Sequence, residues 1–82
     1  MNTQLFFTAN MRRALTAQLL VSLIRELLPP RNKPAMSIKR LVAYIATNHP
    51  RITAVQIQGA IRLGVAMQQF VPSIDGLHLT KF

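Results

Sequence analysis

A helix start with two matched capping residues constrains this chain more than any other local feature. Thr53 can offer its hydroxyl to an unbonded amide of the first turn, and Gln56 can return a hydrogen bond to the Thr53 backbone. Apolar residues follow at helical spacing, which predicts one buried face. That face consists of Ile57, Ile61, Gly64 and Val65. The opposite edge is polar and uncrowded, with Gln58, Arg62 and Gln69 spaced by Gly59 and Ala66.

The helical pattern ends after Gln69, where two extended runs begin. They cover residues 70–74 and 77–82, and the pair Asp75-Gly76 separates them. An Asp-Gly pair suits a two-residue type I′ turn, in which both central residues take positive φ. The pattern therefore predicts a β-hairpin closed by Asp75 and Gly76.

A first helix is predicted over residues 11–28. It ends at Pro29-Pro30, because a residue that precedes proline is pushed out of the α region. Its apolar face comprises Ala14, Ala17, Leu20, Val21, Ile24, Leu27 and Leu28.

A polar loop over residues 31–36 leads to a second helix. Ser37 is a natural N-cap for that helix, and Pro50 stops it near Asn48. Its inner face comprises Ile38, Leu41, Val42 and Ile45.

Three helices followed by a hairpin are the element order of a winged helix-turn-helix, a small, mainly α fold of the α+β class. We therefore predict one three-helix winged-helix domain over residues 11–82 with a C-terminal β-hairpin wing, after an N-terminal tail over residues 1–10. A ferredoxin-like fragment and a plain helical domain with a hairpin remain alternatives.

The charge balance points to a polyanionic partner. Ten Lys or Arg residues face only two acids, Glu26 and Asp75, for a formal net charge of +8. The excess positive charges repel one another in a compact domain, and such an excess is typical of proteins that bind polyanions. Nucleic acid is the first candidate and an anionic membrane surface the second. No membrane-spanning helix is expected, because no apolar run reaches the roughly 20 residues required.

Few residues are suited to catalysis or to metal binding. Glu26 belongs to the first helix and Asp75 to the hairpin tip, so a working carboxylate pair is not expected. His49 and His78 are too few for a zinc site, and the chain has no cysteine. The glycines are isolated and form no phosphate-binding loop. We therefore expect no enzyme activity, no cofactor and no metal.

The basic residues and their neutral neighbours predict two separate DNA-contacting edges. The candidates around the second helix are Arg31, Lys33, Lys39, Arg40 and Arg51. The candidates along the third helix and the wing are Gln58, Arg62, Gln69, His78 and Lys81. Most such side chains position a protein on phosphates without reading sequence, and only Gln58, Arg62 and Gln69 suit base edges. Duplex binding with little sequence specificity is the expected result.

Three short motifs resemble the globular domain of linker histones. They are Ser37-Ile38 at the second helix start, Ile57-x-x-x-Ile61-Arg62 in the third helix, and the closing run over residues 77–81. The resemblance covers about residues 11–82. It implies binding to linker DNA or the nucleosome, in chromatin in the nucleus, without catalysis.

The resemblance also implies roles for particular positions. Gln58 and Arg62 fall where the family's third helix contacts phosphates, and Arg40 falls near a second-helix contact. His78 and Lys81 fall where the wing carries cations. The chain departs from the family at Gln58, where a Lys is usual, at Leu63 and Val71, where basic residues are frequent, and in the wing, which lacks a Gly-rich basic loop.

An alternative function is that of a protein-interaction module. Leu15, Leu19 and Leu23 lie toward the polar side of the first helix, and Phe6 and Phe7 precede it. Together these side chains could form an apolar surface for a protein partner. A single Arg on the third helix favours this alternative, because DNA-reading helices usually concentrate positive charge.

Overall fold

The architecture is given by a computed structural model, which describes residues 16–82. Within these residues the chain forms three helices and a three-stranded antiparallel sheet, so the predicted small α+β class is confirmed at that level. The elements are α1 (16–27), β1 (Met36–Ser37), α2 (Ile38–Asn48), α3 (Ala54–Ala66), β2 (Phe70–Pro72) and β3 (His78–Lys81). The predicted tail over 1–10 and the predicted start of the first helix lie outside the described residues.

Both predicted helix caps are confirmed. The Ser37 hydroxyl oxygen accepts a hydrogen bond from the backbone N–H of Arg40 at 3.4 Å. At α3 the Thr53 hydroxyl oxygen accepts from the Gln56 N–H at 3.2 Å, and the Gln56 side-chain oxygen accepts from the Thr53 N–H at 2.9 Å. These bonds satisfy first-turn amides that a helix leaves without intrahelical partners.

The end of α3 comes earlier than the sequence pattern predicts. The helix ends at Ala66, and Gln68 takes a left-handed conformation with φ 59°. The N–H of Gln69 donates to the Gly64 carbonyl at 2.8 Å, and the N–H of Gln68 donates to the Val65 carbonyl at 3.1 Å. This pair of bonds is a Schellman motif, which normally places glycine at the left-handed position. A glutamine there gives no sequence signal for the helix end.

The core joins all three helices to two strands of the sheet. Its buried members are Leu20, Val21, Ile24, Leu28, Leu41, Ile45, Ile57, Ala60, Ile61, Phe70 and Leu79. The predicted inner faces of the first two helices supply the first six. On α3 the burial of Ile57, Ile61 and Gly64 is confirmed, whereas Val65 is half-buried and Ala60 completes the face.

Strand β1 was not predicted, because it occupies the end of the predicted loop. Met36 pairs with Leu79 and Ser37 with His78, so β3 is the central strand between β1 and β2. Two residues are too few to show the alternation of a strand. Ser37 has two roles, since it pairs with His78 in the sheet and also caps α2.

The predicted type I′ turn is wrong, although the hairpin and its register are those that an Asp75-Gly76 turn would produce. Phe70 pairs with Lys81 and the ladder stops short of Ile74. The Ser73 carbonyl accepts from the Gly76 N–H at 2.9 Å, so Ile74 and Asp75 are the central residues of the turn. Gly76 has φ 72°, but Asp75 does not have positive φ.

The Asp75 side chain provides the physical reason for this turn. Its Oδ1 accepts a hydrogen bond from the Leu77 N–H at 2.9 Å and another from the Ser73 hydroxyl. An aspartate whose side-chain oxygen accepts from the backbone N–H two residues ahead forms an Asx turn. The loop therefore spans residues 74–77 and the strands are shorter than the predicted runs.

Two glycines of α3 should respond to alanine with opposite signs. A Cβ at Gly64 would lie 2.7 Å from Cζ of the buried Phe70 ring and closer still to Cδ2 and Cε2, whereas one at Gly59 would meet nothing within 4 Å. We expect Gly64→Ala to destabilise the domain by about 1–3 kcal/mol and Gly59→Ala to stabilise it by about 0.5–1 kcal/mol. Urea denaturation of both variants measures the difference. Equal effects would mean that α3 and β2 do not meet at Gly64.

Candidate nucleic-acid interface

The Lys and Arg side chains of this domain have no acidic partners among the residues described. Arg12 and Arg13 precede residue 16, and the other eight Lys and Arg residues lie within 16–82. All of these are exposed except Lys81, which is half-buried. Within 16–82 the one ion pair joins His78 Nδ1 to Asp75 Oδ1 at 3.6 Å. The Lys and Arg charges are therefore available to an external anion.

The start of α2 concentrates several of these groups. Lys39 and Arg40 lie in the first turn of the helix, which contains no acidic residue. The positive end of the helix dipole adds to their charge. Pairing between β1 and β3 places His78 directly opposite the cap residue Ser37. The start of α2, the edge strand β1 and the hairpin thus contribute to one basic surface.

A groove of about 570 Å³ lies between α2, α3 and the hairpin, and we call it the hairpin groove. Its lining residues are Ser37, Ile38, Lys39, Val42, Gln58, Gly76, Leu77 and His78. The Ile38 N–H donates to the Leu77 carbonyl at 2.9 Å, and this bond attaches the hairpin loop to the start of α2. Its lining combines apolar side chains with the Lys39 ammonium, the Gln58 amide and the His78 imidazole.

A second groove of about 510 Å³, which we call the loop groove, lies beside the first. It is lined by Leu27, Leu28, Pro29, Pro34, Ala35, Met36, Ser37, Arg40 and His78. Ser37 and His78 line both grooves, so they form the ridge between them. Lys39 faces one groove and Arg40 the other.

The structure groups three of the candidates differently from the two predicted edges, while the prediction that these edges contact DNA stays a prediction. Lys39 was assigned to the second-helix edge, and Gln58 and His78 to the third-helix and wing edge. These three residues line the same groove. The reason is that β3 pairs with β1 and that the Leu77 carbonyl of the hairpin loop accepts from the Ile38 N–H at the start of α2, so the hairpin lies beside that helix.

Lys81 lies at the other end of β3 from the hairpin loop. Its backbone N–H donates to the Pro29 carbonyl at 2.9 Å, which holds it beside the loop that follows α1. That loop carries Arg31, whose Cζ lies 5.4 Å from the centroid of the Phe82 ring. This end of β3 also adjoins the segment after α3, because Lys81 pairs with Phe70 and the Phe82 N–H donates to the Gln69 carbonyl at 3.0 Å, so Lys81 lies between that segment and the loop that carries Arg31.

The remaining predicted candidates are not brought into the two grooves. Arg62 is exposed on α3 one turn beyond Gln58, and Gln69 is half-buried after the helix end. Lys33 and Arg51 are exposed in the loops that precede α2 and α3. Arg25, exposed on α1, was not among the candidates, since its place on a polar helix face does not distinguish it from an ordinary surface residue.

Two residues of the apolar surface considered for a protein partner, Leu19 and Leu23, lie within the described part of the chain. Leu19 is 70% exposed, but Leu23 packs against the core. Leu23 is half-buried and therefore offers less apolar surface than Leu19. Leu15, Phe6 and Phe7 lie outside the described residues.

Other chemistry has little structural support within residues 16–82. No three His, Asp or Glu side chains of this region come together as metal ligands. None of its helices is long and apolar enough to cross a membrane. Comparison of the chain with protein-family models, characterised proteins and solved structures finds no match.

Asp75 should make the stability of the hairpin depend on pH. The Ser73 hydroxyl and the Leu77 N–H, with a smaller effect of His78, hold the pKa of Asp75 below its ordinary value of 3.8. A carboxylate with a lowered pKa stabilises the fold above the pKa of the unfolded chain, and this contribution is lost as pH falls through the folded value. We expect the free energy of unfolding, measured by urea denaturation, to decrease less for Asp75→Asn than for wild type as pH falls from about 6 to about 2. Parallel curves for the two proteins would contradict this role of Asp75.

Proposed function

We propose that this domain is a winged helix-turn-helix that binds duplex DNA through its backbone with little sequence specificity. The order of helix, strand, two helices and two strands supports the proposal, since a winged helix has this order with the first strand beside the hairpin. The linker-histone resemblance of the sequence supports a chromatin-associated role in the nucleus, with linker DNA or the nucleosome as the target.

One observation carries the proposal. Lys39 and Arg40 flank the ridge of Ser37 and His78 at the start of α2, and no carboxylate of residues 16–82 pairs with either cation. A helix start with two cations and no acid attracts phosphate groups. This basic surface is continuous over two grooves. It therefore suits a row of successive phosphates better than a single phosphate group.

The exposed face of α3 is poor in groups that could read bases. Its exposed polar residues are Gln56, Gln58 and Arg62, and the Gln56 side chain already accepts a hydrogen bond in the capping box. Val55, Gly59 and Ala66 are among the exposed small or apolar residues of the helix. Gln69, the third candidate, lies beyond the helix. Base readout normally requires bidentate side chains in the major groove. We therefore assign the binding energy to phosphates, with an affinity on the order of micromolar to millimolar at physiological salt for two to four contacts.

The test compares two variants that lose the same charge. Lys39→Gln/Arg40→Gln removes the cations at the start of α2, and Arg25→Gln/Arg51→Gln removes two exposed cations outside both grooves. We expect the first variant to bind a duplex of about 30 base pairs roughly tenfold more weakly and to lower the log–log salt slope by about 2. The second variant should change both quantities much less.

Fluorescence anisotropy over a series of salt concentrations measures both quantities. Equal losses in the two variants would mean that net charge, and not the start of α2, determines binding. Binding without salt dependence, or no binding by wild type, would contradict the proposal and favour the protein-interaction alternative, in which Leu19 is the exposed candidate.

A further inference from the structure

The tip of the hairpin exposes apolar side chains where the sequence resemblance would lead one to expect basic residues. Ile74 is fully exposed and Leu77 is 62% exposed. Both belong to the loop over residues 74–77, beyond the last strand pair of Pro72 with Leu79. An isolated exposed leucine is common, but a β-branched side chain held at the end of a hairpin needs an explanation.

Hydrogen bonds hold this loop in one conformation. The Gly76 N–H donates to the Ser73 carbonyl, the Ser73 N–H to the His78 carbonyl and the Leu77 N–H to Asp75 Oδ1, each at 2.9 Å. The His78 N–H also donates to Ser73 Oγ at 3.1 Å. Because the loop is already ordered, binding through its tip loses little conformational entropy.

The tip of the hairpin lies next to the basic surface. Gly76, Leu77 and His78 line the hairpin groove together with Lys39 and Gln58. A duplex whose phosphates contact Lys39 would therefore lie next to the tip. Leu77 lines the groove with Lys39, and Ile74 lies three residues before Leu77 in the same loop, outside the groove.

We propose that the hairpin tip inserts Ile74 between base pairs from the minor groove of a bound duplex and bends it. The inference rests on the proposed DNA-binding function. Apolar wedges at the edge of a basic surface are how several minor-groove proteins kink DNA. The minor groove is about 6 Å wide, and the backbones of two paired strands already lie about 4.8 Å apart. With its side chains added, the two-stranded part of the hairpin is wider than the groove, so only the tip can enter it.

Asp75 is the one feature of the tip that opposes an anionic partner. Its Oδ1 is turned back into the hairpin, where it accepts hydrogen bonds from the Ser73 hydroxyl and the Leu77 N–H. The same oxygen lies 3.6 Å from His78 Nδ1. These donors offset part of the negative charge that the DNA would meet.

The decisive experiment measures the shape of the DNA and not only the affinity. The full chain is bound to a duplex of about 30 base pairs with fluorophores at both ends and 2-aminopurine at a central TA step. We expect wild type to shorten the end-to-end distance and to raise the 2-aminopurine fluorescence. Ile74→Ala should lose most of both signals and weaken binding by about three- to tenfold.

Val55→Ala is the matched control, because Val55 is 81% exposed on α3 and does not belong to the hairpin. It should leave both signals unchanged. Thermal melts of both variants should match wild type, since neither side chain belongs to the core.

The outcomes separate the wedge from the function on which it rests. Salt-dependent binding that needs Lys39 and Arg40 but leaves the duplex straight, with Ile74→Ala unchanged, would overturn the wedge and leave the DNA-binding function intact. No binding by wild type would overturn both. Association of the protein with itself that depends on Ile74 and excludes DNA would also overturn the wedge, and would assign the tip to a contact between copies.

Discussion

The central strand β3 is the constraint on which the arrangement of this domain depends. It pairs with β1 on one side and with β2 on the other, and its Leu79 is completely buried in the core. Beyond the ladder, the Lys81 N–H bonds to the Pro29 carbonyl and the Leu77 carbonyl accepts from the Ile38 N–H. One strand thus fixes the loop after α1, the start of α2 and the hairpin in relation to each other. The candidate interface exists because these three segments meet.

Local hydrogen-bonding groups made much of the fold predictable. Ser37 and Thr53 begin helices, Pro50 accounts for the end of α2, and helical spacing identifies most of the core. The failures have different causes: local side-chain bonds of Asp75 decided the hairpin turn, whereas a tertiary pairing decided β1. Gln68 occupies a left-handed position usually marked by glycine, and the two residues of β1 form a strand because β3 lies beside them.

The candidate site was predictable in its residue types but not in its grouping. Lys39, Gln58 and His78 were all recognisable as polar or basic residues outside the predicted core, yet they were divided between two edges. Their convergence follows from a strand pairing that has no sequence signature at two residues. Lys81 lies on the wing strand as predicted, but its backbone bond to Pro29, far from it in the chain, has no sequence signature. Helical spacing relates neighbours within one element, whereas the register of a sheet relates residues far apart in the chain.

The edges of the small sheet have a consequence for how the domain behaves when many copies are crowded together. β1 offers only two residues along one edge, and β2 offers three along the other, of which Pro72 has no N–H to donate. Short edges and proline are features by which natural sheets avoid pairing with strands of another molecule. The backbone of this domain therefore provides a poor template for intermolecular sheet extension. High local concentration on a long polymer would bring its surfaces together without favouring aggregation through the sheet.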